Sequence, residues 1–197
     1  MFLEVPIKFF SSSRKLRTLL CTSSDAGEGK TSTVANLAVV MAQSGQKVLI
    51  IDCDMRNPSQ HKLFSLHNTG LSNCLASGEP VDGFIQGTEI EDVDVITAGP
   101  VPPNPSEMLG SETMASLLKT AGEKYDYVLL DAPPVLPVTD AVVMAPMTDG
   151  IILVIGAGMV SPNEAKEVKE RLQQSGTPIL GVVMNKVENS RAYAYNY

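Results

Sequence analysis

The chain has 197 residues, 44% of them hydrophobic, enough to build one sizeable core and to argue for a single domain. A formal net charge of -7 argues against the clustered basic face that a nucleic-acid partner requires, leaving only a local basic patch at Arg14, Lys15 and Arg17. Three cysteines without C-x-x-C spacing exclude a disulfide scaffold and fit buried thiols in a reducing cytoplasm. No stretch reaches the ~18 apolar residues of a membrane span. Met1 to Pro6 lacks the basic start of a signal peptide, and Glu4 and Pro6 interrupt it. The expectation is a soluble, cytoplasmic chain that meets a membrane only through a partner.

Residues 1–17 read as an extended entry, with Ser11, Ser12 and Ser13 before the basic Arg14, Lys15 and Arg17. An apolar run, Thr18 to Thr22, predicts the first strand. A Gly-rich loop follows, and then a helix with Val34, Leu37, Ala38, Met41 and Ala42 on one face, ending at Ser44-Gly45. Lys47 to Asp52 is a continuous apolar run closed by an acid, the pattern of a strand buried on both faces of a parallel sheet. From Cys53 to Thr88 the pattern breaks into short helices and turns. Asp94 to Ala98 predicts a third strand, leading into Gly99 to Pro105, whose prolines predict an ordered loop, and a helix from about Ser111 to Lys124. Tyr127 to Asp131 predicts another buried strand ending in acid, with Tyr125 and Tyr127 as packing residues. Strands at Gly150 to Ile155 and Ile179 to Met184 flank a helix at Pro162 to Ser175. The sum is an α/β fold: a mostly parallel central sheet flanked by helices on both faces, with ligands expected at the carboxyl ends of the strands.

The Gly-rich loop, Ser24-Asp25-Ala26-Gly27-Glu28-Gly29-Lys30-Thr31, stands between strand and helix, where a phosphate cradle has to be. It departs from G-x-x-x-x-G-K-S/T at its first position, Ser24. Gly27 and Gly29 allow backbone N–H groups to converge on phosphates, Lys30 reaches the phosphate oxygens, and the Thr31 hydroxyl offers a ligand to Mg²⁺. Ala26, Glu28 and Ser32 complete the expected nucleotide-binding stretch. A strand-terminal Asp caps a following helix as readily as it serves a metal. Two strands ending in Asp52 and Asp131, beside this loop, favour the metal reading, because Mg²⁺ takes oxygen ligands and keeps several waters. Phosphoryl transfer also needs a base, for which Asp52 or Asp54 are candidates, and a charge clamp, for which the planar fork of Arg56 is suited.

Val48 to Arg56 resembles the Walker A-prime motif, and Val128 to Pro134 the Walker B motif, of bacterial tyrosine kinases of the capsular exopolysaccharide family. Pro102 to Leu109 is similar to that family's PPNPSELL segment. Gly181 to Asn185 resembles its last strand, with Asn185 in the adenine-contacting position. The resemblance covers about residues 18–190. It implies a P-loop NTPase fold and an ATP-dependent protein-tyrosine kinase that uses Mg²⁺ with ATP, turns over to ADP and regulates capsular or exopolysaccharide synthesis and export. It also implies activation by a membrane polysaccharide co-polymerase at the inner face of the membrane, a cognate tyrosine phosphatase, and self-association with phosphorylation in trans.

Tyr193, Tyr195 and Tyr197 are three of the five tyrosines, and the resemblance makes them phosphoacceptors in a flexible tail, residues 191–197, appended to a kinase domain of residues 1–190. The chain departs from the family at Ala26, where Pro is usual, and Met1 to Pro6 stands where the E-x-x-R-x-x-R helix that drives ring assembly in many members should end, so the chain either lacks that motif or begins inside it. Septum-positioning and partitioning ATPases share the fold but carry a signature Lys where this chain has Asp25. A non-catalytic nucleotide-binding adaptor is the third reading, opposed by the joint presence of Lys30, Thr31, Asp52, Asp54 and Asp131.

Overall fold

The computed structural model describes residues 16–187. The tyrosines Tyr193, Tyr195 and Tyr197, the entry segment through Lys15, and the division between domain and tail lie outside the described residues. Seven strands form one sheet in the order β3-β4-β2-β5-β1-β6-β7: β1 (Thr18–Ser23), β2 (Val48–Asp52), β3 (Gln86–Gly87), β4 (Val93–Ile96), β5 (Tyr127–Asp131), β6 (Gly150–Gly156) and β7 (Ile179–Asn185). All pairings are parallel except that of the two-residue β3 with β4. The helices are α1 (Lys30–Gln43), α2 (Gln60–Leu63), α3 (Leu71–Ser77), α4 (Pro105–Leu109), α5 (Glu112–Lys124), α6 (Asp140–Met144) and α7 (Pro162–Gln173).

The central strands β1, β2, β5 and β6 are buried on both faces because helices cover both, as parallel crossovers require, whereas the edge strand β7 stays partly exposed. Alternate strand residues divide between two cores. Leu19, Val48, Ile50 and Leu129 pack with Val34, Ala38 and Met41 of α1 on one face. Leu20, Ile51, Leu130 and Leu153 pack on the other with Met114 and Leu118 of α5 and Val168 and Leu172 of α7. Helix starts follow local chemistry: the Ser111 hydroxyl accepts from Met114 N, and Ser161 forms a reciprocal capping box with Glu164 ahead of Pro162. Among the described residues, no helix is long and apolar enough to cross a membrane. Cys21, Cys53 and Cys74 are buried and unbridged.

One expectation needs correction, and two elements went unforeseen. The proline-rich segment is not loop throughout, because Pro105 takes the first position of α4, where a fixed φ helps and its missing N–H is no loss. The edge strand β3 and the short helix α6 carry too few residues for periodicity to reveal them.

The chain turns back at β1: β5 and β2 lie on one side of it and β6 and β7 on the other. That switch point opens a crevice at the carboxyl ends of the strands, over the Gly-rich loop. Tight backbone approaches fix the surrounding loops. A Cβ on Gly70 would sit 1.9 Å from the Thr97 carbonyl oxygen, whereas one on Gly122, inside α5, would meet nothing within 4 Å. Gly70→Ala is therefore expected to destabilise the chain by about 1–3 kcal/mol. Gly122→Ala should stabilise it by about 0.5–1 kcal/mol. Chemical denaturation of the two variants checks the opposite signs.

Candidate active site

β1 ends in the Gly-rich loop, and α1 begins at Lys30 behind Gly29, which has a φ of 89°. No side chain caps α1 and no acid lies in its first turn, so its leading N–H groups stay open to an anion. Gly29 is required for space as well: a Cβ there would sit 2.0 Å from Nδ2 of Asn185. Asn185, at the end of β7, donates from that nitrogen to the Glu28 carbonyl oxygen at 2.8 Å. The loop floors a cleft of about 450 Å³ whose lining includes Lys30, Thr31, Asp54, Arg56 and Pro134.

Glu28 does not face the cleft with its carboxylate. The side chain is buried and accepts from Asp25 N at 2.8 Å and from Gly156 N at 2.9 Å, tying the loop to the end of β6. Ala26, Gly27 and Ser32 are exposed along the cleft.

Sheet register puts the acids together, since Asp52 and Asp131 are direct partners across β2 and β5. Lys30 Nζ donates to Asp131 Oδ1 and lies 3.7 Å from Asp54 Oδ2. Burial works against the Lys30 ammonium, but Asp131, Asp54 and Asp52 more than offset it, and its pKa is raised. Burial, followed by the Asp131 charge, pushes Asp52 up to about 7. Asp52 also caps a helix, the plainer alternative for a strand-terminal acid: Oδ2 accepts from Ser59 N at 3.1 Å and Gln60 N at 3.0 Å, at the start of α2. Asp54 Oδ1 accepts from Asn57 N at 3.0 Å, leaving Oδ2 toward Lys30.

Sequence reasoning missed Ser59 and Gln60, which no motif marks. Ser59 Oγ lies 3.1 Å from Thr31 Oγ1. Gln60 is fully buried; its Nε2 donates to Asp131 Oδ2 at 2.9 Å and to the Thr31 carbonyl at 3.3 Å, while its Oε1 is buried without a partner. Arg56 reaches the cleft, but the Nε side of its fork is engaged by Asp140, at 2.9 Å, so only the remaining N–H groups are open to a ligand.

The donor set fits Mg²⁺. Thr31 supplies a hydroxyl, Asp52 and Asp131 supply carboxylate oxygens, and the orphaned Gln60 Oε1 lies in the same network. Among the described residues, no three His, Cys, Asp or Glu side chains converge enough to hold a metal alone. A cation that keeps its waters and binds substrate phosphates needs no such cluster.

The Glu28 brace generates a test. In Glu28→Gln, an amide NH₂ must face one of two backbone donors, so a loss of about 1–3 kcal/mol in stability is expected, together with weaker ADP binding. Thermal denaturation and ADP titration measure both.

A family model described as an AAA domain matches residues 17–175. Tyrosine-protein kinase YwqD of Bacillus subtilis (strain 168) is 41% identical over 192 residues, 97% of this chain and 81% of that protein. The kinase domain of Escherichia coli tyrosine kinase ETK superposes with a TM-score of 0.88 at 40% identity, over 96% of this chain and 75% of that one. The septum site-determining protein MinD of Pyrococcus horikoshii OT3, in its complex with Mg-ADP, gives 0.74 at 26% identity, over 88% of this chain and 72% of that one. The MinD likeness is one of shared P-loop architecture, whereas likeness to the kinases extends over nearly the whole chain at about 40% identity. The chain belongs to the family of bacterial tyrosine-protein kinases of the capsular exopolysaccharide type, nucleotide-binding enzymes on a P-loop fold.

Proposed function

We propose that this kinase transfers the γ-phosphoryl group of Mg-ATP to Tyr193, Tyr195 and Tyr197, mainly between molecules. The observation that carries the reading is Lys30, a buried ammonium held by Asp131 at the foot of an open phosphate loop. Lys30 is a point charge that exchanges its carboxylate partner for the β- and γ-phosphate oxygens when nucleotide enters. The backbone N–H groups of residues 26–32 cradle the same phosphates, and Asn185 is assigned the adenine. Thr31 and Asp131, with Asp52 acting through water, would hold Mg²⁺. When bound, it neutralises charge on the phosphates.

In the transfer, the Tyr oxygen forms a bond to the γ-phosphorus as the bond to the bridging oxygen of ADP breaks. The phenolic proton passes to a carboxylate. Asp54 is better placed than Asp52 to take it: Asp54 lines the cleft, whereas both Asp52 oxygens accept backbone N–H bonds. Arg56 steadies the moving phosphoryl with its free N–H groups.

The division into a kinase domain, residues 1–190, and an acceptor tail, residues 191–197, belongs to this reading. Ten residues follow Val187. Fully extended they reach at most roughly 33–36 Å, a span that would serve a cleft presented by an adjoining molecule at that range. Each phosphate added brings about -1.5 to -2 charge to an acidic chain, which opposes self-association and makes assembly and phosphorylation a cycle. A membrane polysaccharide co-polymerase as activator, a cognate tyrosine phosphatase that resets the tail, and a station at the inner face of the membrane complete the proposal.

The test mixes a Lys30→Met chain that keeps its tail with an active chain lacking residues 191–197. Label from ATP is expected on the Lys30→Met tail, while Lys30→Met alone should label itself about 10²–10³-fold more slowly than the full-length chain. Absence of label on the inactive chain, under conditions where the full-length enzyme labels itself, would refute transfer in trans. Unimpaired self-labelling of Lys30→Met would refute the phosphate-loop assignment.

A further inference from the structure

The Pro102 to Leu109 segment matches a family motif yet has no part in the chemistry above, and Asp140 belongs to no motif at all. The fold joins them. Strands β4, β2 and β5 are neighbours in the sheet, and the connections leaving their carboxyl ends each send one side chain to a common point: Ser106, Arg56 and Asp140. Arg56 Nε donates to Asp140 Oδ2 at 2.9 Å, and its Nη2 donates to Asp140 Oδ1 and to Ser106 Oγ, each at 3.3 Å. The Ser106 hydroxyl donates to Asp140 Oδ1, closing the ring.

The two charged members differ in surroundings. The Asp140 side chain is completely buried, whereas that of Arg56 is 43% exposed and borders the cleft. A buried carboxylate stripped of its cation is costly, so Arg56 cannot leave Asp140 for a ligand without leaving a desolvated charge behind. It does not need to leave. A guanidinium carries five N–H donors along two usable edges. Asp140 takes the edge formed by Nε and one N–H of Nη2, and Ser106 takes the other Nη2 N–H, which fixes the plane of the group and leaves the two N–H groups of Nη1 for phosphate oxygens. An ion pair serving stability alone gains nothing from holding its arginine at the lip of the substrate cleft.

We propose that Asp140, with Ser106 completing its hydrogen bonds, is the positioning residue that holds Arg56 in the orientation needed for phosphoryl transfer. The proposal rests on the assignment of Arg56 to the moving phosphoryl. It gives the proline-rich motif a role: Pro105 starts α4 at the place that delivers Ser106 to the ring.

The experiment is a double-mutant cycle on the full chain with Arg56→Ala, Asp140→Asn and both together. The Lys30→Met chain serves as acceptor, and kcat, ADP affinity and the thermal midpoint are read for each. Asp140→Asn should lower kcat about 10–100-fold through misplacement of a group it does not replace, with ADP affinity within about threefold of the parent. In the Arg56→Ala background the same change should have no further effect on kcat, because the residue it positions is gone.

An equal loss in both backgrounds overturns the positioning role while leaving Arg56 in place. Loss of ADP affinity and thermal midpoint in proportion to kcat reduces Asp140 to a structural residue and overturns the role as well. A wild-type rate in Arg56→Ala overturns the Arg56 assignment itself, a distinguishable failure. Should Asp140→Asn not fold, Ser106→Ala replaces it in the cycle; removing one hydroxyl should cost about 3–10-fold in kcat with Arg56 present and nothing without it. A Ser106→Ala loss of the same size in both backgrounds counts against the ring.

Discussion

The site depends on one buried cation shared among three carboxylates. Lys30 bonds to Asp131 and lies near Asp54, while Asp52, in register with Asp131, has no side-chain cation of its own. Such a surplus of negative charge in a desolvated place is costly and persists only because hydrogen bonds share it out. Backbone N–H groups of residues 54, 59 and 60 serve Asp52, and the Gln60 amide serves Asp131. The same surplus suits a site that receives a hard cation together with a polyanion. In the proposed reading, phosphates would take Lys30 from Asp131, and a metal held by Thr31, Asp52 and Asp131 would offset the remaining carboxylate charge.

Sheet topology decides which groups can take part. Parallel strands send all their carboxyl ends to one side, and the reversal of strand order at β1 leaves a crevice there that no crossover fills. The strand ends then place residues far apart in sequence at one point: Lys30 with Asp131, Asn185 with the Glu28 carbonyl, and Arg56 with Ser106 and Asp140. The strands themselves are nearly uniform in chemistry, so specialisation falls to the loops. The P-loop architecture shared with MinD serves a different protein there, and it is the strand-end connections that separate one function from another on a common sheet.

The glycine-rich loop is rigid through its fastenings rather than its composition. Gly29 supplies the left-handed turn and the room for Asn185, and the Glu28 side chain, turned into the protein, ties residue 25 to the end of β6. Behind it, Val135 N and Leu136 N donate to the carbonyls of Ser23 and Ser24, and Arg171 of α7 donates to the carbonyls of Val135 and Leu136. Backbone groups meant for phosphate are thereby held open before any ligand arrives, which reduces the ordering cost of binding.

Much of this was written in local pattern. Continuous Val, Ile and Leu runs ending in acid announce strands covered on both faces, and a Gly-Lys-Thr between strand and helix announces a phosphate site, because burial and helix-end chemistry act over a few residues. Helix starts at Ser111 and Ser161 are equally local. Sequence could not announce that Glu28 faces inward, that Asp52 caps α2 while pairing in register with Asp131, or that Gln60 bridges Thr31 and Asp131. Nor could it announce that Asp140 holds the fork of Arg56. Each of these depends on which strands are neighbours and where a connection crosses, and a polar side chain in a loop carries no periodicity that reports its partner. The sequence alone therefore determined the layer structure and the place of the Gly-rich loop between strand and helix. Strand order and register, which bring together positions 50 to 157 residues apart, decided how those residues are charged, oriented and held.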